Sequence, residues 1–179
     1  MNPFVLIHKY YADQPELEML LLRHSRQVAG RALTIAYAHP EWDVDLRFIY
    51  EGSMLHDIGI IKTKAEGILC HGNNPYLCHG RIGAEMLRAE GLERHARVAE
   101  RHTGTGLSAQ QILARNLPLP PFDFVPETLE EKIICYADKF YSKSHLDKEK
   151  TFDQAMRSMA DFGSEVTDVF TSWHSMFEA

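Results

Sequence analysis

The sequence predicts an all-α, single-domain protein, and three observations carry that prediction. Apolar residues recur at three- and four-residue spacing through most of the chain. Glycines and prolines interrupt these stretches at helix-length intervals. Period-two alternation is confined to the first few residues. The 179 residues suit one hydrophobic core and are short for two domains. Hydrophobic residues make up 45% and charged residues 25%, the balance of a folded globular chain, not a disordered one.

Taken in order, Leu17, Leu20, Leu21, Val28, Ala32 and Ile35 mark one face of a helix from about Gln14 to Ala38, closed by Pro40. A second helix runs from Asp43 to about His56, with Val44, Phe48, Ile49 and Leu55 inward and Gly59 at its exit. Residues 60–77, with Gly67, Gly72, Asn73, Asn74 and Pro75, read as loop. Helices from about Cys78 to Glu90 and Leu92 to His102 are stopped by Gly91 and by Gly104 with Gly106. Ser108 caps a short helix to Asn116, and the prolines of 117–121 then force an extended crossing. Thr128 to Glu131 has the capping-box pattern and opens a helix to about Ser144. Two amphipathic helices split near Gly163 finish the chain, over about 150–178. Their stripe of Phe152, Ala155, Met156, Met159, Val166, Val169, Phe170, Trp173 and Phe177 either completes the core or supports a homodimer.

Composition narrows the function. With 19 Lys+Arg against 25 Asp+Glu the formal charge is −6, so stable nucleic-acid binding, which needs a surplus of cations, is not expected. No apolar run approaches the ~20 residues of a membrane span. Met1 to Lys9 lacks the charged leader and long apolar stretch of a signal peptide. The three cysteines, Cys70, Cys78 and Cys135, imply no disulfide framework. A cytoplasmic protein without membrane association is the expectation. Cys70-His71 and Cys78-His79 do not have the spacing of zinc-finger clips.

The chain has ten histidines, and some of them fall where the helical pattern asks for an apolar residue. His24 shares a stripe with Leu21 and Val28, His102 follows Val98 and Ala99, and Asp138 lies between Ile134 and Tyr141. His56-Asp57 closes the apolar end of the second helix. One inward histidine is ordinarily a hydrogen-bonded core residue. Several aimed inward from separate helices suit a metal in a bundle, because each would otherwise need its own buried partner. On spacing alone these two readings stand level.

Ser53-Met54-Leu55-His56-Asp57-Ile58-Gly59 resembles the signature of the HD superfamily of metal-dependent phosphohydrolases. The order His24, then His56-Asp57, then Asp138 matches that family over about residues 20–145. His79 and His102 occupy the places where dinuclear members carry two more histidines. The segments around His79, His102 and Tyr136 are similar to bacterial HD hydrolases that split diadenosine tetraphosphate symmetrically. Many relatives have a lysine directly after the His-Asp-Ile-Gly run, whereas Ile60 and Ile61 stand here before Lys62.

The resemblance implies an HD-type helical bundle with its metal site in the core. His24, His56, Asp57 and Asp138 would hold one divalent ion. Asp57 would bridge to a second, completed by His79 and His102. Imidazole and carboxylate without thiolate suit Fe, Mn, Co, Ni, Zn or Mg. A pair of such ions ~3.5–4 Å apart makes hydroxide available near neutral pH. The implied activity is hydrolysis of a small phosphorylated substrate such as a nucleotide. The catalytic assignment falls on Asp57 and Lys62, and the phosphate contacts on Lys62, Arg81, Arg101, Thr103 and Lys139. Two other functions use the same ligand order: a dinuclear iron oxygenase, and an HD protein that binds a nucleotide without turning it over.

Overall fold

The computed structural model describes residues 1–179, the side chain of Asp161 excepted. Among the described residues it holds α1 (Pro3–Tyr11), α2 (Pro15–Ala38), α3 (Leu46–Leu55), α4 (His79–Ala89), α5 (Glu93–Arg101), α6 (Ala109–Ala114), α7 (Leu129–Asp138), α8 (Phe152–Met159) and α9 (Ser164–Phe177). The chain is mostly helical, as expected, and none of the helices among the described residues is long and apolar enough to cross a membrane.

Helix α1 is not in the sequence reading, yet its start is written there. Asn2 accepts a hydrogen bond from Phe4 N at 3.0 Å and Pro3 takes the first helical position, where its missing N–H is no loss. Helix α3 begins later than Asp43. That residue turns left-handed (φ 38°), and Asp45 caps the helix by accepting from Phe48 N at 2.9 Å. The capping boxes of Ser108 with Gln111 and Thr128 with Glu131 form as the pattern requires. Helix α7 stops at Asp138, short of Ser144. The N–H groups of Lys139, Phe140 and Tyr141 bond three residues back, tightening the last turn and ending it.

The supposed loop 60–77 carries a small sheet. Strand β1 (Thr63–Ala65) pairs antiparallel with β2 (Cys70–His71), Lys64 opposite His71, and parallel with β3 (Asn74–Pro75). Strands of two or three residues are too short to show alternation. Their pairing answers the need of backbone groups for partners.

Two large apolar clusters divide the helices other than α6, whose Ile112 packs with Leu107 and Phe124 in a third, small one. One gathers the second half of α2, the start of α3, α7, α8 and α9 around Ile134, Tyr136 and Phe170. The other gathers α1, the first half of α2, the end of α3, α4 and α5 around Leu21, Leu55 and Leu87. Helix α2 spans both: Leu21 belongs to one and Val28 to the other. His24 lies between them on the same stripe, so the polar residues of the chain's centre sit at the seam of two apolar cores.

Close approach at this seam depends on glycine. The turn after Asp57 lies directly on the start of α4, and a Cβ on Gly59 would come within 2.2 Å of His79 O and 2.4 Å of Gly83 N, both backbone atoms. Tyr11 holds the same turn from the other side. Its hydroxyl donates to Ile58 O at 2.7 Å and accepts from Ile61 N at 3.3 Å. Gly59→Ala is expected to destabilise by about 3 kcal/mol, because backbone must move. Gly30, with open space around its Cβ position in the middle of α2, is expected to gain about 0.4–1 kcal/mol on substitution by Ala. Urea unfolding midpoints of the two variants should therefore shift in opposite directions.

Candidate metal centre

Asp57 follows the last turn of α3, wholly buried, with His56 before it as the C-terminal cap. Its Oδ2 faces His56 Nε2 at 2.9 Å and His24 Nε2, from α2, at 3.2 Å. Its Oδ1 faces His79 Nε2, from the start of α4, at 3.3 Å and His102 Nε2, at the end of α5, at 3.4 Å. Asp138, at the end of α7, brings Oδ1 to 3.1 Å from His24 Nε2 and 3.4 Å from His56 Nε2. Two groups that can each hold a metal ion result, His24 with His56, Asp57 and Asp138, and Asp57 with His79 and His102. The six residues singled out from the sequence therefore meet at one buried point, with Asp57 common to both groups.

The rings are aimed before any cation arrives. The Nδ1–H of His56 donates to Ser53 O, that of His79 to Tyr76 O and that of His102 to Ala99 O, each at 2.7 Å. Every one of these bonds reaches three residues back along the same segment. It fixes the tautomer and leaves the Nε2 lone pair pointing inward. The Nε2 atoms of His79 and His102 then face each other at 3.0 Å, an arrangement that two lone pairs tolerate only with a proton or cation between them. His24 Nε2, His56 Nε2 and both Asp57 oxygens are buried without an aligned hydrogen bond. Ligands ~2.1 Å from a cation stand about 3.0 Å apart in an octahedron and about 3.4 Å apart in a tetrahedron. The spacings of 2.9–3.4 Å here fall in that range. The donor set fits a divalent ion.

Without a metal, protons and lysines balance the carboxylates. Burial works against a charged His56, but Asp57 and Asp138 outweigh it and hold its pKa up to about 9. Burial dominates at His79, with His102 and Lys143 adding to it against Asp57, and brings its pKa down to about 3. Burial would raise both carboxylates. Instead His56 and Lys143 hold Asp57, and Lys139 with His24 and His56 holds Asp138, well below the usual range. Lys143 Nζ lies 2.5 Å from Asp57 Oδ2, and Lys139 Nζ lies 2.7 Å from both Asp138 Oδ2 and His102 O.

The centre opens into a cavity of about 450 Å³. Thr103 and Lys139 line it, together with His79, His102 and Asp138. Lys62, Arg81 and Arg101, the other expected phosphate contacts, are not among the residues that line it. Lys62 is exposed at the edge of β1. Arg81 lies two residues past His79, about 200° around the helix, and pairs with Glu85 at 2.8 Å. Arg101 turns away from His102 to bond Val125 O at 3.1 Å and Glu127 at 2.7 Å. Nearness in sequence placed these three beside the ligands, and helical rotation took them elsewhere. Lys143 is the residue the sequence reading missed. A helix continued to Ser144 would point it about 140° away from Asp138, whereas the early end of α7 folds it back onto Asp57.

A bundle in which separate helices bring four histidines and two aspartates to one buried point defines a class of metal-centred α-helical proteins. The chain belongs to the HD domain family, whose model matches residues 21–142. In sequence it is similar to tRNA (cytidine(56)-2'-O)-methyltransferases of Picrophilus torridus, 35% identical over 148 residues, and of Thermoplasma volcanium, 33% over 138. These matches cover 77% and 76% of this chain but 39% and 35% of those proteins. A protein of Methanocaldococcus jannaschii, named only as uncharacterized, is 40% identical over 107 residues, 59% of this chain and 56% of its own length. The chain thus spans about a third to little more than half the length of these curated relatives.

In structure it is similar to the HD domain of the L. monocytogenes phosphodiesterase PgpH, with a TM-score of 0.57 and 21% identity over 96% of this chain and 84% of that one. The same domain in complex with cyclic-di-AMP gives a TM-score of 0.57 and 20% identity, over 96% and 83%. That likeness shows a shared fold.

A metal ion must displace the proton on His56, so its apparent affinity is expected to rise as pH rises from 7 toward about 9. The rise should level off above that, where the imidazole is already neutral. Calorimetric titration with Mn²⁺ across this range checks it. An affinity that does not change with pH would contradict a coordinating role for His56.

Proposed function

We propose that the chain is a metal-dependent phosphohydrolase that acts on a nucleotide or another small phosphate ester through metal-activated water. The observation that carries this reading is the sharing of Asp57 between two histidine groups, beside an open cavity that His79, His102 and Asp138 line. Divalent ions held there by His24, His56, Asp57, Asp138, His79 and His102 would supply hydroxide near neutral pH and neutralise phosphate oxygens. The protein's own residues do the rest. Asp57 holds the two halves of the centre in register, and three of its four imidazole neighbours, His56, His79 and His102, are fixed by their backbone bonds. Lys143, drawn to Asp57 without a ligand, is the cation nearest to where a reacting phosphate would lie. Lys139 and Thr103 line the approach. The apolar clusters on both sides keep bulk water from the ligand atoms.

A cavity of about 450 Å³ falls within the roughly 300–1,000 Å³ of small-molecule sites. The structural neighbour is named as a phosphodiesterase and has been seen with cyclic-di-AMP, which agrees with a nucleotide substrate. The names of the relatives favour a second reading, methyl transfer on tRNA. The donor set favours hydrolysis, since methyl transfer has no need of four histidines and two aspartates around one point.

Purified protein loaded with Mn²⁺, Co²⁺ or Fe²⁺ is expected to release phosphate or nucleotide from members of a nucleotide panel. Asp57→Asn should lower turnover at least ~10³-fold, and Lys143→Met should lower kcat/KM roughly 10²-fold, the loss typical of one charge-stabilising group. Turnover that survives Asp57→Asn would overturn the reading. Methylation of tRNA with S-adenosylmethionine and no phosphate release would favour the second. Oxygen consumption with iron bound would point to an oxygenase, and tight nucleotide binding without turnover to a binding protein.

A further inference from the structure

The segment between α7 and α8 brings three lysines to the same cavity, Lys139, Lys143 and Lys150. The first two are taken by carboxylates of the metal centre. Lys150 is not. Its Nζ donates to Ser158 Oγ at 3.2 Å, and among the described residues no carboxylate lies within ion-pair distance of it. Asp138 is the only carboxylate among the described residues that line the cavity. In a chain of net charge −6 this is a local concentration of positive charge.

The lysine is held in place. Its backbone N–H donates to Phe140 O at 2.8 Å, Tyr141 bridges to Glu149, and Gln27 Nε2 donates to Leu146 O at 2.8 Å, so the loop is pinned to α2 and to its own base. Burial, with Lys139 and Lys143 nearby, opposes its charge, although Asp138 acts the other way. A fixed, half-buried ammonium crowded by two others is stabilised by an arriving anion. Beyond it, a second cavity of about 450 Å³ shares Ser142 and Lys150 with the first and continues past His145, Lys148 and Glu149, the last of these paired with Arg31 at 2.6 Å.

We infer that Lys150 and Ser158 form an outer phosphate subsite, so that the substrate carries a second phosphoryl group besides the one at the metal centre. The inference rests on the hydrolytic reading for which phosphate reacts. The second group is joined to the first either through an anhydride, as in a nucleoside diphosphate, or through a sugar, as in a nucleoside bisphosphate or the end of a nucleotide chain.

Binding decides the subsite without turnover. Calorimetry on the Mn²⁺-loaded protein would compare methylenediphosphonate with methylphosphonate, neither of which is hydrolysed. The two-phosphonate probe is expected to bind at least tenfold tighter, and Lys150→Met should remove most of that ratio. Ser158→Ala should reduce it about threefold. An unchanged ratio in both variants, or a wild type that prefers neither methylenediphosphonate over methylphosphonate nor a nucleoside 3′,5′-bisphosphate over the monophosphate, overturns the subsite even if the enzyme hydrolyses phosphate esters. A Lys150-dependent ratio in a protein that turns over no phosphate ester upholds the subsite and removes the hydrolytic reading instead. With turnover, kcat/KM for a nucleoside 5′-diphosphate and a 3′,5′-bisphosphate, each against the monophosphate, tells which linkage is preferred. Lys150→Met is expected to reduce the preferred one at least ten times more than the monophosphate.

Discussion

Asp57 has no exposed surface, and each of its oxygens looks at two imidazole nitrogens. A carboxylate in that position is unstable unless positive charge comes to it. Much of the arrangement around it follows from this one requirement. His56 keeps a proton that burial would otherwise remove. Lys143 reaches in from the loop beyond α7, and Lys139 performs the same service for Asp138. Helix α7 ends where it does at the point that lets both lysines converge.

The fold provides a place for such a charge by keeping two apolar cores apart at a single seam. Helix α2 is long enough to belong to both clusters, and it presents His24 at the level where one gives way to the other. The turn at Gly59 closes the seam from below by resting on α4 without a side chain between them. Tyr11 satisfies the backbone of that turn, so the N-terminal helix, which contributes no ligand, still sets the height of His56 and Asp57.

Much of this was legible in the sequence because three of the six ligands broke a helical stripe. His24, His102 and Asp138 stood where leucine or alanine was due, and the HD resemblance joined them to His56-Asp57. The cap at Ser108 and the capping box at Thr128 also read directly, since their chemistry is local. What the sequence could not place depends on geometry beyond one segment. Lys62, Arg81 and Arg101 were chosen by adjacency, and the side-chain direction of a neighbour on a helix is not adjacency in space. Lys143 could be found only by knowing that α7 stops at Asp138. The short strands over 63–75 have no periodicity to detect, and α1 was hidden behind an apolar start although Asn2-Pro3 announces a helix.

The hydrogen bonds from three Nδ1 atoms to carbonyls of their own segments have one further result. Each ring is locked by neighbours no more than a helical turn distant, so its orientation is settled as the local backbone forms and owes nothing to the other ligands. An ion entering the pocket finds these three donors already aimed, whereas His24 Nδ1 has no such bond. Discrimination among metals then rests on how well each accepts a rigid set of donors, not on how far it can pull the polypeptide into shape.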